Sequence, residues 1–389
     1  MNIIPYGRQD INQDDIDAVI SVLKSDFLTQ GNLVPKFSEV VSNYCRAKYA
    51  LALNSATSAL HVACLSLGVK NGDVVWTTPN TFVASANCAL YCGAFIDFID
   101  INAKTYNIDI EKLEEKLNFA EKNGNLPKVL IPVHFAGQSC DMESIYKLSV
   151  KYGFKIIEDA SHAIGGKYKN EAIGNCRFSD ITVFSFHPVK IITTGEGGMV
   201  LTNNPELAHL MSLFGSHGVT SIKDFMEPRP EDEIWNYQQV ELGHNFRMTD
   251  IQAALGLSQM NRLDEFVTKR QEIAHKYYHL LNDLPIKTPW QHPDTYSSFH
   301  LFVARLDLNA SLKTQKNVFQ ELKRSNILAN LHYIPVYLHP YYERLGFRRG
   351  HCPEAENYYR EAISLPIYSS YTEEQQLFVI NKLQSILSG

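Results

Sequence analysis

Apolar positions recur in two rhythms along this chain. From about residue 48 to 205, short apolar runs are separated by longer stretches with helical spacing. The runs at 49–53, 73–77, 94–99, 128–133, 154–158, 181–184 and 198–202 predict strands. The stretches at 57–67, 81–91, 109–120 and 141–152 predict helices between them. Strands alternating with helices build a largely parallel sheet covered on both faces, because each helix carries the chain back over the sheet. Two amphipathic helices, 13–25 and 35–46, come first and are joined by Thr29-Gln30-Gly31-Asn32.

Residues 216–240 are polar and irregular, with Pro228 and Pro230 enclosing one arginine. They read as a surface loop or an intersubunit arm. From Thr249 to about Leu284 the pattern is one long helix, with Ile251, Ala254, Leu255, Leu257, Met260, Leu263, Phe266 and Val267 at helical spacing. Met248-Thr249-Asp250 caps its start and Pro285 ends it. Beyond it, strands near 298–304 and 329–334 flank a helix at 313–325, and helices near 353–362 and 372–387 follow. The expected division is 1–248, an N-terminal arm and large α/β domain, and 249–389, a linking helix and small α+β domain.

Composition narrows the classes. The chain has 389 residues, 45% of them hydrophobic, enough for a large core. A net charge of −6 gives no general affinity for nucleic acid. No apolar stretch reaches the roughly 18 residues of a membrane span, and residues 1–8 lack the apolar core of a signal peptide. The seven cysteines are scattered without a C-x-x-C pair. They read as reduced core thiols of a cytoplasmic protein, with no metal site and no disulfide.

Candidate chemistry starts at Lys190, between the apolar run 181–184 and Gly195-Glu196-Gly197-Gly198. Burial disfavours the ammonium, and a neutral amine can attack an aldehyde. That is how pyridoxal phosphate (PLP) is held, although a solvated loop lysine would look the same here. Upstream, Phe154–Glu158 reads as a buried strand that runs into Asp159. A PLP enzyme needs a carboxylate against the pyridine nitrogen, and the carboxyl ends of parallel strands are where α/β sheets bind ligands. Capping a following helix is the alternative role for Asp159. Asn54-Ser55-Ala56-Thr57 follows a strand and opens a helix, where free N–H groups suit a phosphate as well as an ordinary cap. Ser185 is a further hydroxyl for that phosphate. Phe82 is either a stacking ring or core. No G-x-G-x-x-G follows the first strand, which argues against a nucleotide-dependent oxidoreductase.

Taken in order, these motifs resemble the DegT/DnrJ/EryC1/StrS sugar aminotransferases, a branch of fold-type I PLP enzymes. The matching segments are Leu53–His61, Thr81–Asn87, Val133–Gln138, Ile157–His162, Ser185–Lys190 with Gly195–Gly198, and Leu242–Asp250. The resemblance implies an aspartate aminotransferase-like fold with a large, mostly parallel sheet domain and a smaller α+β domain. It implies that Lys190 binds PLP and moves the proton, that Asp159 pairs with the ring nitrogen, and that His162 faces the ring's phenolate oxygen. Ala56, Thr57 and Ser185 hold the phosphate, and Phe82 stacks on the ring. A homodimer shares its active sites, with Asn245, or else Arg247, reaching the phosphate from the partner. Where the family often has Asn-Gly-Thr, this chain has Ser55-Ala56-Thr57; alanine serves if its backbone stays out of the left-handed region.

Further matches at 4–7, 25–31, 84–93, 332–342 and 352–356 point to a subgroup that aminates a UDP-linked 4-keto-6-deoxy sugar with L-glutamate. Tyr6, Thr29, His332 and Tyr333 are the sugar-binding candidates; surface aromatics packing a domain joint would look alike. Another nucleotide-linked keto sugar, or a non-catalytic protein of the same fold, are the competing readings.

Overall fold

A computed structural model describes residues 3–228 and 232–387; Pro230 and the arginine before it lie outside the described residues. The seven expected strands form one sheet. They are β1 (Tyr49–Leu53), β2 (Val74–Thr77), β3 (Phe95–Phe98), β4 (Val129–Ile131), β5 (Lys155–Asp159), β6 (Ile181–Ser185) and β7 (Gly198–Thr202). The order across the sheet is β1-β7-β6-β5-β4-β2-β3. Five neighbours, from β3 to β6, pair in parallel. Only β7 runs against both its partners. Strands β4, β6 and β7 are buried at every position, as a sheet covered on both faces requires.

Helices α1 (Gln13–Leu23), α2 (Leu33–Cys45), α3 (Ala56–Ser66), α4 (Ala84–Tyr91), α5 (Ile110–Asn123) and α6 (Met142–Tyr152) follow the sequence pattern. Helix α7 (Pro205–Gly215) is an addition to it. Its start is chemically explicit, since Asn204 caps the N–H groups of Glu206 and Leu207 and proline takes the first turn.

The single helix expected over 249–284 is two helices, α8 (Asp250–Met260) and α9 (Leu263–Leu280). The break is at Asn261-Arg262, where the Arg262 guanidinium turns to Asp10 at 2.9 Å and Asp15 at 2.7 Å. Ala253 and Met260 of α8 join a core with Phe37 and Val41 of α2. The far part of α9, from Ile273, packs in another core with α10 (Gln315–Arg324) and the final helix, Glu373–Leu387.

A second sheet comprises β8 (Ile286–Lys287), β9 (Phe302–Leu306) and β10 (Ala362–Leu365), antiparallel in that order. Alternation along β9 joins two cores. Val303 faces the cluster under the main sheet, whereas Phe302, Ala304 and Leu306 face the smaller one.

The strand expected over 329–334 does not form. Ile327–Leu328 pairs with Ile4–Pro5, and Asn330 bridges Ser364. Beyond that point the backbone is satisfied elsewhere, as when Tyr333 N donates to Asn80 Oδ1 at 3.2 Å. This irregular path brings His332 and Tyr333 to the carboxyl end of the main sheet. Residues 216–240 include a short hairpin, Val219–Thr220 against Gln238–Gln239. No helix among the described residues is long and apolar enough to cross a membrane.

Candidate active site

Three adjacent strands form the first wall. Strand β1 ends at Leu53 and leads into Ser55, whose hydroxyl caps α3 by accepting from Ser58 N at 3.1 Å. Ala56 and Thr57 are the first helical residues, so their N–H groups have no carbonyl within the helix to bond. Ala56 lies in the right-handed helix, so alanine presents its N–H without strain. Beside them, Gly198 of β7 pairs with Leu53 on one side and Ser185 on the other. A Cβ on Gly198 would stand 2.4 Å from Ala56 N and 2.5 Å from the Ser55 carbonyl carbon. Glycine is therefore what lets the helix terminus settle onto the sheet. The result is a cup of free N–H groups and the Ser185 hydroxyl at the positive end of a helix dipole, which suits a phosphate.

Lys190 sits on the loop between β6 and β7. The loop is closed by Phe186 N donating to Gly197 O at 2.9 Å and Thr194 N to Phe186 O at 3.0 Å. Lys190 is half-buried there. Burial lowers its pKa to about 8, against the opposing pull of the Asp159 carboxylate.

Asp159 ends β5 and is buried. No helix follows it, so the capping alternative does not apply. Its Oδ2 accepts from Ser85 Oγ at 2.6 Å and its Oδ1 from Ser161 N at 3.1 Å. Ser85 Oγ is also 2.7 Å from Thr81 Oγ1. One residue before Asp159, the buried Glu158 meets His134 Nε2 at 2.7 Å, and His134 holds its carboxyl below the usual range against the opposing effect of burial. That pair anchors the strand end beneath the site.

His162 has a determined tautomer. Its Nδ1 accepts from Ala136 N at 3.2 Å, so the proton resides on Nε2, which faces the Tyr333 hydroxyl at 3.2 Å. Burial, reinforced by Lys190 and His332, holds the His162 pKa well below its ordinary value. His300 lies against it at 4.4 Å between ring centroids and is also kept neutral, mainly by burial. His332 is brought down to about 3 by burial and by Lys190. Its Nδ1 bonds Ser364 Oγ at 2.8 Å, and its ring packs 4.9 Å from Tyr6. Lys190 is thus ringed by three neutral imidazoles and one carboxylate.

Sequence reasoning named Lys190, Asp159, His162, Tyr6, His332 and Tyr333, and the fold gathers these together. It missed Ser85 and His300. Ser85 was findable as a hydroxyl four residues after Thr81; nothing in the chain flagged His300. Phe82 precedes α4 rather than lying within it, and is 58% exposed with its ring 6.4 Å from that of Tyr333. Thr29 lies apart, exposed and bridged to Thr249. Asn245 is exposed on a segment along the sheet edge, where Leu53 bridges Arg247 and Arg247 Nη1 donates to Ser216 Oγ at 3.0 Å. No group of three or more metal-binding side chains occurs among the described residues. A groove of about 720 Å³ by β3 is lined by none of these residues. Chemistry, rather than volume, identifies this site.

An amine with a lowered pKa, a fixed carboxylate, a helix-capped anion cup and an open aromatic face fit PLP. The DegT/DnrJ/EryC1/StrS aminotransferase family matches residues 9–384. A Campylobacter jejuni protein named UDP-4-amino-4,6-dideoxy-N-acetyl-beta-L-altrosamine transaminase is 38% identical over 391 residues, covering 99% of this chain and 98% of that protein. Helicobacter pylori PseC, an aminotransferase involved in the biosynthesis of pseudoaminic acid, aligns with a TM-score of 0.89 at 32% identity, covering 100% of both chains. A Streptococcus pneumoniae protein solved in its PLP form aligns with a TM-score of 0.88 at 28% identity, covering 99% of each chain. The chain belongs to the DegT/DnrJ/EryC1/StrS aminotransferase family.

Proposed function

We propose that this protein is a PLP-dependent nucleotide-sugar 4-aminotransferase of pseudaminic acid biosynthesis. In this reading UDP-2-acetamido-2,6-dideoxy-beta-L-arabino-hex-4-ulose and L-glutamate become UDP-4-amino-4,6-dideoxy-N-acetyl-beta-L-altrosamine and 2-oxoglutarate. One observation carries the reaction class: an amine brought down to about 8 sits beside the Asp159 carboxylate at the carboxyl end of the sheet. The substrate rests on the 38% identity to the Campylobacter transaminase over nearly the whole chain.

Bound PLP supplies an electron sink and carries the amino group between the two substrates. Asp159 would keep a proton on the pyridine nitrogen of the bound cofactor, and Ser85 with the Ser161 N–H fixes both its oxygens for that task. Ala56, Thr57 and Ser185 hold the phosphate. Lys190, whose pKa is lowered to about 8, takes the α-proton of glutamate through its neutral form and delivers a proton in the reverse sense for the sugar. Neutral His162 presents Nε2–H to Tyr333, which leaves the phenol free to donate its own proton to a bound group. Phe82 offers its exposed face for stacking. Tyr6, His332 and Tyr333 supply the aromatic and hydroxyl surface that a uridine and a pyranose need, with Thr29 as an outlying contact.

The protein works as a homodimer in the cytoplasm. Ile234, Trp235 and Leu242, 91%, 73% and 79% exposed, provide apolar surface for a second copy, and nearby Asn245 can reach that copy's phosphate. The free state of all seven cysteines suits a reducing compartment.

The test is product analysis. Protein, PLP, glutamate and the 4-keto sugar are incubated and followed by mass spectrometry and NMR. A C4 amine of L-altro configuration with an equal amount of 2-oxoglutarate is expected, together with ping-pong kinetics. If glutamate converts the cofactor to pyridoxamine phosphate and this sugar is untouched, the substrate assignment fails and the class stands.

A further inference from the structure

Arg270, in the middle of α9, is 1% exposed. Burial lowers its pKa to about 10, and no carboxylate offsets that penalty. In place of a counterion, its Nη1 donates to three carbonyls: Phe299 O at 3.2 Å, His300 O at 3.2 Å and Ile367 O at 3.0 Å. A buried cation held only by dipoles is a costly way to fill a core, since an apolar side chain would pack there without the desolvation penalty. Two of the three carbonyls lie on one turn. Phe299 sits in that turn at φ +45°, in the left-handed region that a bulky side chain disfavours, and its N–H donates to Ser297 Oγ at 3.1 Å. The third carbonyl ties the guanidinium to the segment that also holds the N-terminal arm, where Ile367 N donates to Tyr6 O at 3.0 Å.

The turn reaches His162 through a continuous set of hydrogen bonds. Ser298 Oγ donates to His162 O at 2.8 Å, and Ser298 N donates to Gly137 O at 3.2 Å. Leu301 N donates to Ala136 O at 3.3 Å. Ala136, itself left-handed at φ +59°, is the residue whose N–H fixes the His162 tautomer. Within the same turn, His300 lays its ring against that of His162. We propose that Arg270 is a positioning residue that holds the 297–301 turn, so that His162 keeps its tautomer and its place beside Tyr333. The guanidinium touches neither the imidazole nor the cleft; it acts through the Phe299 and His300 carbonyls, and these act through Ser298, Leu301 and Ala136. The inference rests on the reading that His162 serves the bound cofactor.

The test is a double-mutant cycle read as PLP affinity, so it needs no turnover. Equilibrium dialysis is run on the full chain as wild type, Arg270→Met, His162→Ala and the double variant. Each single change should weaken PLP binding by about tenfold, and the double variant should bind within about twofold of His162→Ala, because the clamp then has nothing left to position. Arg270→Lys, which keeps the charge and the donors, should recover part of the lost affinity. Should Arg270→Met fail to fold, Arg270→Gln, which keeps an N–H donor, takes its place in the cycle. Losses that multiply in the double variant would overturn the role of Arg270 and leave that of His162 standing. Wild-type affinity in Arg270→Met, or Arg270→Lys binding no tighter than Arg270→Met, would overturn it too. Unchanged affinity in His162→Ala would instead remove the reading of His162, and the inference with it.

Discussion

The lowered Lys190 pKa makes a quantitative demand on cofactor loading. An amine at about 8 is roughly one-tenth neutral at pH 7, whereas a lysine at its ordinary 10.5 is only about 0.03% neutral. The fold thus raises the attacking form by a factor of roughly 300. Apoenzyme, stripped with hydroxylamine and dialysed, can be mixed with PLP in a stopped-flow instrument across pH 6 to 10. The bimolecular loading rate, divided by the rate constant of a simple amine's neutral form to remove titrations of PLP itself, should rise with pH and flatten above about 8. Asp159 is the charge that holds the proton on, so Asp159→Asn should move the midpoint lower still. A rate that climbs tenfold per pH unit through 10, or a midpoint that rises in Asp159→Asn, refutes the reasoning. The same shift fixes a sign for stability. A base with a lowered folded pKa binds fewer protons when folded, so the apoprotein gains stability as pH rises from about 8 to 10.5. Below 8 the full penalty applies, on the order of 3 kcal/mol before allowing for the solvent-facing side of the residue. Lys190→Met should therefore raise the urea midpoint of the apoprotein at pH 7 while abolishing turnover.

Ser85→Ala leaves one oxygen of buried Asp159 without its 2.6 Å partner; equilibrium dialysis should show PLP bound more weakly by about 1.5–3 kcal/mol. Gly198→Ala drives a Cβ into the backbone at Ser55 and Ala56, so purified protein should carry little PLP by absorbance, and wild-type occupancy would contradict the cup. Tyr333→Phe removes the phenol facing His162 Nε2; kcat should fall by roughly tenfold or more at unchanged PLP content.

Strand positions were legible because parallel strands buried on both faces read as continuous apolar runs. The direction of β7 was not, since an antiparallel strand in a covered sheet carries the same apolar signature. The break after α8 escaped periodicity because hydrophobic spacing continues through it; Arg262 at the break pairs with Asp10 and Asp15, about 250 residues back in the chain. The path of 329–334 was misread for a related reason. Its apolar residues suit a strand, yet its hydrogen bonds go to Asn80 and Ser364. At the site, Asp159 was readable from a rare chemical need at a strand end, and Lys190 from the same need on the loop that follows β6. His300 was not, since its contact with His162 exists only in three dimensions.

The position of β7 between β1 and β6 sets a timetable for synthesis. Strand β1 has one neighbour in the main sheet, and that neighbour is the last of the seven strands in chain order. At roughly 5–20 residues per second, β1 emerges about 7–30 s before β7 exists to pair with it. During that interval an apolar strand edge on the nascent chain is open to wrong partners, and it is the segment most in need of chaperone cover.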